Sequence, residues 1–234
     1  MRKTEKRTSV KKIKNHVHIQ KEIHNATSTH RATLENLAAD TWSKSLKRGI
    51  YSYKIKELFG SNAPENIIKI EDLDVRLVGT INDKKLNLHN QSIDAPDTSQ
   101  EPAKKNVVVI SVYGPPFKCA VADELADTCL LSENLMAITL NPFVPAAYVS
   151  AYLNSSKGQK EFDKYRTGST RFARITENNL KLFEIPLPSD EVRQSVYEWF
   201  DHLYHYELAL NRERNTLSHI ATGILQNIGG EPSE

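Results

Sequence analysis

Residues 185–228 read IPLPSDEVRQSVYEWFDHLYHYELALNRERNTLSHIATGILQNI. After the two prolines, Ser189 or Asp190 offers a side-chain oxygen for an N-cap, and Asp190 and Glu191 place negative charge where a helix dipole favours it. From there Val192, Val196, Trp199, Leu203, Tyr206, Leu210, Glu213, Leu217, Ile220 and Ile224 recur at alternating spacings of four and three, which is a heptad seam. Glu213 interrupts it and Gly223 weakens its end. A helix over 190–228 is about 58 Å long at 1.5 Å per residue. A stripe of that length predicts pairing with a partner helix, the alternative being that it packs on its own domain.

Upstream the pattern changes from helical to extended. Asn106–Val112 (NVVVISV) is a nearly continuous β-branched run, as in a strand buried on both faces, and Tyr113-Gly114-Pro115-Pro116 ends it. Lys118–Val121 and Leu135–Leu140 read as further short strands, and a helix is expected from Pro145 to Leu153, interrupted or ended by Gly158 before Phe162 and Tyr165. Tyr51–Leu58 and Ile67–Leu73 alternate like strands, with Ser61-Asn62-Ala63-Pro64 as a turn between them. The polar stretch Asn87–Lys105 is expected to be a long surface loop. Leu34, Leu37 and Ala38 before Trp42 suggest a short helix.

The chain's 234 residues suffice for one sizeable core without staples, and Cys119 and Cys129 stand in no metal or disulfide spacing. No run approaches the roughly 18 apolar residues of a membrane span, and the N-terminus is too polar for a secretory signal. A soluble cytoplasmic protein is expected, with no membrane contact. The formal charge of +2 hides an asymmetry. Residues 1–30 carry eight basic side chains (Arg2, Lys3, Lys6, Arg7, Lys11, Lys12, Lys14, Lys21) against Glu5 and Glu22. Such an arm suits phosphate backbones, or it is simply a solvated terminus.

Asn154-Ser155-Ser156-Lys157-Gly158-Gln159, then Thr167-Gly168-Ser169-Thr170, then Leu180, then Ile185-Pro186-Leu187-Pro188 ahead of the long helix form an ordered set of marks. Upstream stand Val108–Gly114, Lys118 and Leu131-Ser132-Glu133-Asn134-Leu135. Together they resemble one half of the specificity subunit of type I restriction-modification systems. That resemblance implies a target-recognition domain with a helical spacer, double-stranded DNA as ligand, a DNA methyltransferase subunit as partner, and restriction subunits joining in the full complex. It also implies that the methyl donor belongs to the partner and that this chain binds no cofactor. A half-subunit could restore the two-domain arrangement as a homodimer through its C-terminal helix. The chain departs from the family pattern where Gly114 is followed by Pro115-Pro116-Phe117-Lys118 instead of a second glycine before the lysine.

Candidate DNA contacts follow from chemistry and resemblance together. Arg166, Arg171 and Arg174 surround Gly168, Ser169 and Thr170. Small polar residues let the backbone approach phosphate, and a guanidinium can pair with phosphate or fork onto guanine. The plain alternative is a solvated basic loop. Tyr113 and Lys118, flanking the strand-end loop, are secondary candidates. Tyr113–Phe117 invites comparison with the Asn/Asp-Pro-Pro-aromatic motif of amino-group DNA methyltransferases, but Gly114 supplies no acceptor, and a strand-ending turn with Phe117 in the core is the better reading. His202 and His205 lie three apart on the helix and could hold a metal, yet they read as ordinary surface histidines. No catalytic residues are assigned.

The expectation is therefore a mixed α/β (α+β) fold with a small irregular sheet. It comprises a basic flexible segment 1–45, a target-recognition domain 46–188 and a coiled-coil spacer helix 189–228. The expected role is non-enzymatic DNA reading for a restriction-modification complex. The competing role is an interaction or regulatory protein that engages such a complex through its helix without reading DNA.

Overall fold

A computed structural model describes residues 30–51, 54, 67–81, 106–122, 130–169 and 173–228. The expected Asn87–Lys105 loop and nearly all of the expected strand Tyr51–Leu58 lie outside them. In chain order the elements are β1 (His30–Thr33), α1 (Leu34–Leu37), α2 (Trp42–Ser45), β2 (Leu46–Arg48), β3 (Ile67–Ile68), β4 (Leu73–Asp74) and β5 (Thr80–Ile81). There follow β6 (Val107–Ser111), β7 (Tyr113–Gly114), β8 (Cys119–Val121), β9 (Leu130–Leu131), β10 (Leu135–Thr139), α3 (Ala146–Asn154) and α4 (Ser156–Tyr165). The last are β11 (Ala173–Arg174), α5 (Glu177–Leu180), β12 (Glu184–Leu187) and α6 (Asp190–Ile228). The fold is mixed α+β, with small sheets and one long C-terminal helix.

The centre is an antiparallel four-stranded sheet in the order β2-β10-β6-β8. All of β6 is buried, as its unbroken β-branched run predicts. Because successive side chains point to opposite faces, Val108, Ile110 and Val112 enter one core with Phe117, Phe162, Phe183 and the helices. Val107 and Val109 enter a second core with Ile68, Leu73, Ile81 and Leu135. In the first core Phe117 and Phe162 stack at 4.5 Å, and Phe183 meets Phe162 edge-on at 4.8 Å.

Several expectations are corrected. The segment 1–45 joins the core from His30 onward: β1 pairs antiparallel with β12, and Leu34, Leu37 and Trp42 are buried. The pairing lies 157 positions away at its first register (His30 with Leu187), so no local pattern announces it. The expected strand Ile67–Leu73 is broken by a 3-10 turn at Ile70–Asp72, where the Asp72 carboxylate accepts from the Lys69 N–H at 2.9 Å. The helix expected over Pro145–Leu153 is found at Ala146–Asn154, but the break after it falls at Ser155 and not at Gly158: the Ser155 hydroxyl caps α4 by accepting from the Gly158 N–H at 3.2 Å. Gly158 sits in that first turn because a Cβ there would come within 2.2 Å of the Tyr152 carbonyl oxygen.

The long helix departs from its seam. Val196, Tyr197, Tyr204, Glu207, Leu208 and Asn211 are its buried residues, while the seam position Tyr206 faces solvent. A straight helix drifts off a strict heptad, and packing on its own domain follows the 3.6-residue period. Beyond Asn211 the seam stands free, with Leu217, Ile220 and Ile224 all exposed. The waist of α6 is tied to the chain between β4 and β5. The buried Glu207 carboxylate accepts N–H bonds from Leu77, Val78 and Gly79 at 2.7, 3.0 and 3.1 Å. Arg214 pairs with Asp74 at 2.8 Å, and Asn211 donates to the Thr80 hydroxyl. Gly79 has φ +93°, and a Cβ on it would meet the Cys119 carbonyl oxygen at 2.1 Å.

Candidate nucleic-acid interface

Two short strands from distant parts of the chain build one edge. β7 pairs antiparallel with β11, Gly114 opposite Ala173 and Tyr113 opposite Arg174. Arg174 and Thr167 exchange both backbone bonds, at 2.8 and 2.9 Å, so the chain from 167 to 174 turns back on itself. Gly168, at φ +91°, lies in that return, a conformation that favours glycine. Ala173 and Ile175 are buried, and the alternation of a strand therefore drives Arg174 outward. Tyr113, Gly168, Ser169 and Arg174 thus share one exposed or half-exposed edge, and the Arg174 guanidinium has no hydrogen-bond or ion-pair partner among the described residues.

Arg166 adjoins this edge but is held. Its Nε meets the Asp163 carboxylate at 3.0 Å, and its Nη1 is buried without a partner among the described residues. Thr170 and Arg171 lie outside the described residues. Lys118 is not brought to the edge. Its ammonium donates to the Leu73 carbonyl at 3.4 Å and lines a separate cleft of about 440 Å³ beside Asp72, Asp74 and Arg214.

The Asn154–Gln159 motif proves to be a clamp on the turn that follows the edge. Asn154 Oδ1 accepts from the Cys119 N–H and its Nδ2 donates to the carbonyls of Val78 and Cys119, all at 2.9 Å. Gln159 Oε1 accepts from the Phe117 N–H at 3.1 Å, while its Nε2 donates to the carbonyls of Phe117 and Leu153 at 2.9 Å. Pro115-Pro116-Phe117 is therefore fixed from below, with Phe117 buried and its ring beneath Gly114, where a Cβ would come within 2.6 Å of it.

Burial pushes the Cys119 thiol far up, so it stays protonated and is no nucleophile. The ring Nδ1 atoms of His202 and His205 face the carbonyls of Glu198 and Asp201 on their own helix, at 2.6 and 2.8 Å. Among the described residues no group of three or more His, Cys, Asp or Glu can hold a metal ion, and no helix is long and apolar enough to cross a membrane. Sequence reasoning missed Glu207 and the exposed Phe143. The former was legible as a polar residue one turn beyond Tyr204 on the 3.6-residue face.

No family model matches the chain, and no curated protein does. Among solved structures it is similar to a chain from a study of complex assembly and conformational transition of the type I R-M system, at 18% identity and TM-score 0.39. That alignment covers 95% of this chain and 52% of the other. It is also similar to a type I restriction-modification S subunit from M. genitalium, at 18% identity, TM-score 0.40 and coverage of 72% and 37%. A third is the HsdS subunit from Thermoanaerobacter tengcongensis, at 17% identity, TM-score 0.41 and coverage of 91% and 49%. The chain spans about half, or less, of the length of each.

Proposed function

We propose that the chain is the DNA-reading component of a restriction-modification complex, non-enzymatic itself, and that it directs a partner methyltransferase to a sequence. The observation that carries this reading is the edge where Arg174, Tyr113 and the Gly168 turn converge. An outward guanidinium, an exposed aromatic and small polar backbone supply the chemistry that duplex DNA recognition uses. The ordered sequence marks that resemble specificity subunits supply the pathway. Arg174 is assigned to contact DNA, with Gly168 and Ser169 beside it and Tyr113 across the strand pair; Thr170 and Arg171 are kept as contacts on their chemistry alone, and Arg166 supports the turn.

In the same reading the free half of α6 pairs with its copy on a second chain, giving a dimer with two reading edges. Methyl donor and methyl transfer belong to the partner. The testing experiment is fluorescence anisotropy of the intact chain, with and without methyltransferase co-purified from the native host, against a randomised duplex pool and the sequence selected from it. A reader prefers its site by about a thousandfold over non-specific DNA and weakens steeply with salt. Salt-sensitive binding with no preference, or no binding at all, leaves the non-reading regulatory role in its place.

A further inference from the structure

One helix holds both legs of the candidate edge. The leg through β7 leaves the edge by Pro115 and Pro116, which have no N–H to donate, so the turn cannot close on its own backbone there. The first donor after them, the Phe117 N–H, goes to Gln159 Oε1 at 3.1 Å, and Gln159 Nε2 donates to the Phe117 carbonyl at 2.9 Å. One side chain at the start of α4 thus grips both backbone groups of Phe117. Phe162, one turn further on, stacks on the Phe117 ring that lies under Gly114. The leg through β11 is held from the other end of the same helix. Tyr165 is the last residue of α4; its carbonyl accepts from Asn179 Nδ2 at 2.5 Å and its ring stacks on Phe183 at 5.4 Å. Two residues on, Thr167 exchanges both backbone bonds with Arg174. From Gln159 to Tyr165 the helix rises about 9 Å at 1.5 Å per residue.

We infer that Gln159 is a positioning residue of this edge: by tying the Phe117 turn to α4, it fixes Tyr113 on one leg relative to Arg174 on the other. This role rests on the DNA reading proposed above and names a residue on which discrimination between sequences depends. Gln159 is itself spent on the protein. Its two N–H groups go to the carbonyls of Phe117 and Leu153, and it lies half-buried in the cleft beside Lys118. It therefore acts through the edge and not on the ligand. The edge needs such support. β7 and β11 pair over two residues each, with one further bond from the Ile175 N–H to the Val112 carbonyl at 2.9 Å, which is a short ladder to hold a register alone. Base contacts require donors and acceptors at fixed separations, whereas attraction to phosphate tolerates displacement. An edge released from α4 keeps its charge and loses its discrimination.

Gln159→Met keeps the length of the side chain and removes its polar atoms, and two measurements on the intact chain read the result. The first, amide hydrogen exchange, needs no DNA. In the variant the amides of Phe117, Thr167 and Arg174 should exchange at least about tenfold faster, while those of the β6–β10 ladder keep their rates. Faster exchange at Phe117 alone, or spread evenly over the protein, would overturn the coupling through α4. The second is anisotropy, at several salt concentrations, against the sequence selected by the wild-type chain and against the randomised pool. Preference for the selected sequence should fall about tenfold, the effect of one lost base contact, with pool affinity and its salt dependence unchanged. Glu207→Gln, which loosens the joint of α6 and leaves the edge alone, controls for stability: its melting temperature falls and its preference stays. Undiminished preference in Gln159→Met, equal losses in the two variants, or a parallel loss of pool binding would overturn the positioning role while leaving DNA reading in place. A wild-type chain without any preference would overturn DNA reading and this role with it.

Discussion

Arg174 owes its direction to its neighbours: Ala173 and Ile175 are buried, so the side chain between them faces out. If it meets a phosphate, Arg174→Ala weakens DNA binding by about tenfold and makes the logarithmic salt dependence shallower by about one. The melting temperature stays unchanged, because an exposed side chain without partners contributes little to folding. Anisotropy titrations at several salt concentrations with a parallel thermal melt check both halves. Cys119 offers a prediction in pH. Its burial raises the thiol's pKa in the folded chain, so above the ordinary thiol value of about 8.5 only the unfolded chain loses the proton. This contribution to stability is complete at neutral pH and declines as pH rises through that value. Native protein at pH 8 should leave Cys119 unmodified by a disulfide reagent, urea should expose it, and Cys119→Ala should flatten part of the alkaline decline in melting temperature.

At the scale of elements, one carboxylate joins α6 to the chain between β4 and β5. Glu207→Ala strands three N–H donors, two of them buried, and should cost about 3–5 kcal/mol of unfolding free energy. Glu207→Gln, keeping one acceptor oxygen, should cost about half as much; urea titrations followed by circular dichroism measure both. This joint also shows what sequence could and could not disclose. The extents of α6, β6, β10 and α3 are written in local periodicity, and the structure follows that reading to within a few residues. The β1–β12 and β7–β11 pairs are too short for a period and find partners far along the chain. The residues of the candidate edge were thus legible as chemistry, but the register that sets Arg174 opposite Tyr113 was not. Lys118 could be named from its place beside a strand end, yet only the packing of β4 reveals that it turns to Leu73.

For the whole molecule, α6 is half buttress and half overhang. From Asn211, its last buried residue, to Ile228 the helix runs on for about 26 Å at 1.5 Å per residue. Leu217, Ile220, Ile224 and Leu225 are exposed there at 53% or more. Pairing with a second chain would cover them, and Ile220→Glu should convert a dimer to a monomer in light scattering without lowering the monomer's melting temperature. An unchanged mass for wild type and variant would remove the dimer from the reading. The central strand has a different consequence. β6 has no face for water, so the seven residues NVVVISV that organise both cores become, once the chain opens, an uncharged β-prone segment ready to stack on its copies. Lys104 and Lys105 before it and Pro115 and Pro116 after it are the charges and breakers that hinder such stacking. Heat should therefore inactivate this protein by precipitation from the unfolded chain, at a rate set by how often β6 is uncovered.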